Sequence, residues 1–140
     1  VGSGLALGLT GHFDAFWFGW MMPMWIGTMA GAYLFYAQHN FPDGVIASRQ
    51  DWSFSGAALD SSSYMVMNPV MHWFTANIGY HHVHHLNAAI PFYRLPEAMG
   101  AIEELQHPGR TTWSPGDIIA CFKLKLWDPE QNKMVGYPAA

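Results

Sequence analysis

Apolar positions are unevenly spread along the chain, and the longest apolar run lies near its beginning. The 23 residues from Ala15 to Ala37 carry no formal charge and are bracketed by Asp14 and Asp43. A helix of this length measures about 34 Å, which is enough to cross a hydrocarbon core of about 30 Å. The pattern therefore predicts one transmembrane helix over residues 15–38, kinked at Pro23. A buried core helix of a soluble protein is the alternative.

Beyond this run the pattern becomes polar and turn-rich, and it predicts shorter helices. Asn68 as N-cap and Pro69 at the first helical position predict a helix from Pro69 to Leu86. By similar signals we expect short helices over residues 96–106 and 115–126, followed by a loosely ordered tail. The chain then divides into the end of an upstream segment (1–14), the span (15–38) and a cytoplasmic helical part (39–140).

Composition and charge agree with a membrane protein. Apolar residues make up 51% of the chain and charged residues 11%, against about a quarter charged in ordinary soluble domains. The single Cys121 excludes an intramolecular disulfide and a cysteine-rich metal site. A net charge of −4 gives no indication of nucleic-acid binding. All six basic residues follow the predicted span, so the positive-inside rule places the chain after about Gln38 in the cytoplasm.

Four of the eight histidines lie within five residues, in the segment His81-His82-Val83-His84-His85. In a helix, His81, His84 and His85 stand at i, i+3 and i+4 and share one face, whereas His82 lies at its edge. Neutral imidazole is a good ligand for iron, zinc, copper or nickel. The spacing therefore favours metal ligation over chance clustering.

Two further residues are candidates for this site. His39 stands at the end of the predicted span, where an ionisable group is costly unless it is paired, and we expect it to be a fourth ligand. Asn77, four residues before His81, would lie on the same helical face and is predicted to hydrogen-bond a ligand. The remaining histidines are expected outside the site: His12, His72, His82 and His107.

Two segments resemble the C-terminal part of the membrane fatty acid desaturases, most closely the bacterial acyl-lipid branch. They are Tyr33 to Phe41 (YLFYAQHNF) and Trp73 to Asn87 (WFTANIGYHHVHHLN). Ile90 to Leu95 and Lys123 to Asp128 are similar to the same branch. The resemblance implies an all-α integral membrane fold, in which this chain contributes one transmembrane helix and cytoplasmic helices to a larger bundle.

The resemblance also implies a site. In that family three histidine boxes hold a non-haem di-iron centre, and here His81, His84 and His85 match the third box while His39 matches an additional histidine. These four would be both metal ligands and catalytic residues. The first two boxes are absent, so we expect a C-terminal fragment that is inactive alone.

The activity implied is desaturation of an acyl lipid, in which two iron ions and O₂ insert a double bond into the acyl chain. Electrons would come from a donor such as ferredoxin or cytochrome b5. Two alternatives stay open at this point. One is a sister histidine-box oxygenase that hydroxylates or ketolates a carotenoid, sterol or alkane. The other is a non-catalytic membrane protein that binds metal or haem.

Overall fold

The computed structural model describes residues 2–138, which fall into two units, 2–35 and 36–138. In the first unit, helices α1 (Gly2–Leu9) and α2 (Phe13–Phe16) are followed by a π-helical turn (Trp17–Met21) and by α3 (Met22–His39), which continues into the second unit. The ring of Trp20 lies against α1, where a Cβ at Gly4 would come within 2.7 Å of it. Glycine is therefore required at this contact.

The expectation of a clear transmembrane helix is wrong. Among residues 2–138, no helix combines the length and the apolar character needed to cross a membrane. The apolar run 15–37 is divided by the π-helical turn, and Pro23 lies in the first turn of α3 instead of kinking a longer helix. The remaining helix contains weakly apolar Gly, Thr, Trp and Tyr residues and ends in Gln38 and His39, which lower its mean hydropathy.

The second unit holds five more helices, three of which begin at the side-chain caps Ser53, Asn68 and Ser114. The helices are α4 (Phe54–Asp60), α5 (Pro69–Phe74), α6 (His81–Leu86), α7 (Leu95–Ala101) and α8 (Pro115–Lys123), with 3₁₀ turns at Phe92–Arg94 and Glu103–Leu105. The caps Asn68 and Ser114 confirm the predicted helix starts, because each accepts a backbone N–H three residues on.

The single helix predicted from Pro69 to Leu86 is wrong. Residues 75–80 form a turn in which Ala76 and Asn77 have φ values of 50° and 56°. The Asn77 amide donates to the Phe92 carbonyl at 3.1 Å, and the Gly79 carbonyl accepts from the Met65 N–H at 2.9 Å. Because the turn separates α5 from α6, helical periodicity does not carry from one to the other.

An all-α fold is also wrong, because four short strands pair in two sheets. Strand β1 (Tyr64–Met65) pairs in parallel with β2 (Arg110–Thr111). Strand β3 (Leu126–Asp128) pairs antiparallel with β4 (Lys133–Val135), with Leu126 opposite Val135. The tail expected to be loosely ordered is thus a hairpin, and its turn is held by Asp128, whose carboxylate accepts the N–H groups of Glu130 and Gln131.

The core of the second unit lies under α6. Val83, Leu95 and Leu105 are buried together, and the side chains of Leu59, Tyr80, Leu86, Ile90, Ala98 and Met99 pack around them. Burying one such aliphatic side chain contributes about 1.5–3 kcal/mol. This packing fixes α6 against α7 and the 103–105 turn.

Candidate metal centre

Three histidine rings converge where α3 ends and α6 begins. The Nε2 atom of His81 lies 2.9 Å from Nε2 of His39 and 3.0 Å from Nε2 of His85. One nitrogen from each ring can be chosen so that all three lie within 4.8 Å of one another. The structure thus brings together three of the four predicted ligands, from segments 42 residues apart in the chain.

The separations of 2.9 and 3.0 Å are those expected of neighbouring ligands on one transition-metal ion. Metal–imidazole bonds of about 2.0–2.1 Å put neighbouring ligand nitrogens roughly 3 Å apart in a tetrahedral or octahedral shell. The donor set is purely nitrogen, which suits iron, zinc, copper or nickel and does not suit Mg²⁺ or Ca²⁺. The residues present therefore fit a metal of the first group.

The surroundings lower the pKa of two of the rings and so keep them neutral, as ligation requires. Burial, reinforced by the neighbouring histidines His85, His39, His84 and His82, lowers the pKa of His81 to about 3. Burial and then the rings of His39 and His84 also lower the pKa of His85. Near neutral pH the lone pairs of His81 and His85 are therefore available to a metal.

The outer nitrogen of His81 departs from the usual arrangement of a ligand. A metal-bound histidine generally donates its second N–H to a carboxylate, carbonyl or water. Nδ1 of His81 is buried and has no hydrogen-bond partner within residues 2–138. The described part of the chain therefore holds this ring by packing and by its neighbouring histidines.

His84 and Asn77, the other two predicted site residues, lie outside the three-nitrogen group. The half-buried ring of His84 has its centroid 5.9 Å from that of His81 and 6.0 Å from that of His85. Its role as a ligand stays a prediction. Asn77 is in the 75–80 turn and bonds Phe92, so the shared helical face that suggested a link to the metal does not exist.

The histidines expected outside the site are not among the three whose nitrogens converge. His82 is fully buried on the core side of α6, with Nε2 3.0 Å from the Leu105 carbonyl oxygen. His72 stacks on Tyr64, and its Nε2 lies 3.4 Å from the phenol oxygen. His12 and His107 are exposed.

Beside the metal-binding rings is a groove of about 280 Å³ that sequence reasoning missed. His39 and His85 border the groove on one side. Residues of α4, together with residues just before and just after this helix, form the other wall. The wall residues are Trp52, Phe54, Ala57, Ala58, Ser61 and Ser62. The signal available in the sequence was the pair Trp52 and Phe54, two large apolar rings in an otherwise polar stretch.

Comparison with known proteins identifies the family of the chain. A family model described as "Fatty acid desaturase" matches residues 1–116, which contain all the converging histidines. A fatty acid desaturase of Bacillus subtilis (strain 168) is 35% identical over 109 residues, which cover 78% of this chain and 30% of that protein. The chain thus spans under a third of the length of this curated relative. No solved structure matches. By the extent of the family match, this chain belongs to the fatty acid desaturase family.

Proposed function

We propose that the protein containing this chain desaturates acyl lipids, and that the chain supplies His39, His81, His84 and His85 as ligands of a non-haem di-iron centre. The observation that carries the proposal is the convergence of three imidazole nitrogens within 4.8 Å, inside the segment that matches the family. The family match favours desaturation over the sister oxygenase and over a non-catalytic metal binder.

The ligand count implies that this chain provides only part of the centre. Four imidazoles offer four donor atoms, which is fewer than two iron ions require. We infer that further ligands come from sequence outside this chain, and that the chain alone does not catalyse the reaction. Its own contribution is to hold the buried ring of His81 and the more exposed ring of His85 neutral, with the ring of His39 beside them.

Iron bound at these rings would supply the oxidising chemistry, in which O₂, two electrons and two protons remove two hydrogens from adjacent methylenes and yield two waters. The electrons have to come from a separate protein, and we infer a donor such as ferredoxin or cytochrome b5. The rings of Trp52 and Phe54 offer an apolar wall along which methylenes can lie next to His39 and His85. The groove thus provides a place for the acyl chain beside the metal.

The location of the reaction follows from the substrate and the family. Fatty acid desaturases are membrane-associated, and an acyl lipid is met at a membrane. That the chain after about Gln38 faces the cytoplasm stays a prediction.

The test is expression of the complete reading frame in a host with a simple fatty-acid profile, followed by mass spectrometry of its lipids. We expect a new unsaturated fatty acid with the wild-type protein, and background levels with His81→Ala or His85→Ala. His107→Ala replaces an exposed histidine that is not in the converging group, serves as the matched control and should retain activity. A hydroxylated or ketolated product would support the sister oxygenase. Full activity in His81→Ala would refute the metal site.

A further inference from the structure

A buried amide lies directly behind the metal-binding rings. Gln38 precedes His39, is only 1% exposed, and donates from Nε2 to the carbonyl of Ile78 at 2.7 Å. Ile78 lies three residues before His81. We propose that Gln38 is a positioning residue that sets the distance between His39 and the pair His81 and His85. The inference rests on the metal site of the proposed function.

This hydrogen bond joins the two segments that carry the ligands, the end of α3 with His39 and residues 78–85 with His81 and His85. We call these segments the two arms of the site, and the bond lies close to the ligands in both. His39 follows Gln38 directly on α3, and His81 is reached from Ile78 through only Gly79 and Tyr80. Few rotatable bonds therefore separate the Gln38–Ile78 contact from either imidazole. A change in this contact is transmitted to the separation of the ligand nitrogens.

The backbone connects the same arms by a longer route. The N–H of Ser63 donates to the Gln38 carbonyl at 2.9 Å, and two residues later the Met65 N–H donates to the Gly79 carbonyl at 2.9 Å. These two backbone bonds attach both arms to residues 63–65, whereas the Gln38 side chain bonds one arm directly to the other. The two arms and residues 63–65 are therefore each hydrogen-bonded to the other two.

The residue type itself points to positioning. A methionine would fill nearly the same volume in this core without a polar group to satisfy. A buried amide has to be hydrogen-bonded to be tolerated, and a bonded amide fixes direction as well as distance. Metal ligands need to be held within about 0.5 Å of their productive positions, so a tie of this kind affects affinity more than it affects overall folding.

The experiment titrates the purified chain with Co²⁺, follows the visible absorption bands that report coordination geometry, and measures thermal unfolding in parallel. Gln38→Met should weaken Co²⁺ binding by about tenfold, as changes outside the ligand shell typically do, and should shift the bands. Gln106→Met is the matched control, because this exposed glutamine also donates to a backbone carbonyl, that of Gly100 at 3.2 Å. Its Co²⁺ affinity and spectrum should equal those of the wild type.

Leu95→Ala separates positioning from general stability. Leu95 is buried in the core with Val83 and Leu105, so the variant should lower the unfolding temperature without altering the Co²⁺ bands. If Leu95→Ala weakens Co²⁺ binding as much as Gln38→Met, or if Gln38→Met binds like the wild type, the inference is wrong. Should Gln38→Met fail to fold, Gln38→Asn decides by the same criteria, because its amide is one methylene too short to reach Ile78.

His39→Ala distinguishes a failure of this inference from a failure of the metal site. If His39→Ala binds Co²⁺ as the wild type does, the site of the proposed function is refuted. If His39→Ala loses affinity while Gln38→Met keeps it, the site stands and the positioning role of Gln38 is refuted.

Discussion

At the scale of single residues, neighbouring histidines have different roles because their side chains leave α6 on different sides. His81 and His85, four residues apart, face His39, whereas His82 points into the core and bonds the Leu105 carbonyl. Consecutive residues on a helix are about 100° apart around its axis. The same residue type is thus a candidate metal ligand at one position and a core residue at the next.

Replacing His81 or His82 by alanine should therefore give opposite results. His81→Ala should abolish measurable Co²⁺ binding at the site, because its Nε2 lies between the other two nitrogens. His82→Ala should leave Co²⁺ affinity nearly unchanged and lower the free energy of unfolding by about 1–3 kcal/mol, since the Leu105 carbonyl loses its partner. Metal titration and urea unfolding measure the two effects. An equal loss of Co²⁺ affinity in both variants would indicate a general polyhistidine trap.

His72 should make folding stability depend on pH. Burial lowers its pKa, so the ring is neutral in the folded chain, while the unfolded chain takes up a proton near pH 6.5. Its contribution is complete above about pH 6.5 and is lost as pH falls through the folded-state pKa. The groups facing it are Tyr64 and Tyr80. Burial and then Tyr80 raise the pKa of Tyr64 to about 12, so the Tyr64 phenol supplies no compensating charge here.

We expect the free energy of unfolding of the metal-free wild type to fall more steeply from pH 6.5 to pH 5 than that of His72→Phe. The other histidines are common to both proteins and cancel in the difference. Urea unfolding in EDTA across this pH range is the measurement. His107→Phe, an exposed control, should follow the wild-type curve. Parallel curves for the wild type and His72→Phe would contradict the prediction.

At the scale of elements, sequence reasoning succeeded where structure is set locally. The caps Asn68 and Ser114 act within three residues of themselves, and the spacing of His81 and His85 needs only one helical turn. The helix over 69–86 failed because the left-handed turn at 76–77 is held by distant partners, Phe92 and Met65. The apolar content of residues 15–37 predicted one long helix, but apolar content alone does not indicate where a π-helical turn will form. No local pattern places α4 beside the histidines.

The left-handed residues of the 75–80 turn lead to a prediction of their own. Ala76 has φ 50° and an exposed side chain, a conformation that costs an L-residue about 1–2 kcal/mol but costs glycine little. Ala76→Gly should therefore raise the free energy of unfolding by about 0.5–1 kcal/mol. Ala120→Gly, inside α8, should lower it by a similar amount. Destabilisation by both substitutions in urea unfolding would show that residue 76 is not left-handed in solution.

At the scale of the whole molecule, the segment beyond the family match holds the end of α3 in place through hydrogen bonds. The match ends at residue 116, in the first turn of α8. The rest of α8 and the β3–β4 hairpin follow. Asn40 donates from Nδ2 to the carbonyls of Cys121 and Leu124 at 2.8 and 3.2 Å, and to the Tyr36 hydroxyl at 2.7 Å. Tyr36 also stacks on Phe122 with ring centroids 5.2 Å apart. His39 is thus flanked by Gln38, tied towards α6, and Asn40, tied towards α8.

Removing the Gln38 bond and removing the Asn40 bonds should have different effects. The reactivity of Cys121 in α8 reports on the Asn40 bonds. Cys121 is the only cysteine of the chain and is fully buried, so a maleimide reaches it only when α8 opens. Asn40→Ala removes the donor to the carbonyls of Cys121, in α8, and of Leu124, just after it. The two bonds are worth about 1.4 kcal/mol together, so the rate of Cys121 labelling should rise about tenfold. Co²⁺ affinity should stay near the wild-type value, because the bonds between α3 and α6 remain.

Asn87→Ala is the control, because this exposed asparagine accepts the N–H of Ala89, and it should leave the labelling rate unchanged. A loss of Co²⁺ affinity in Asn40→Ala equal to that in Gln38→Met would mean that α8 and α6 hold His39 jointly.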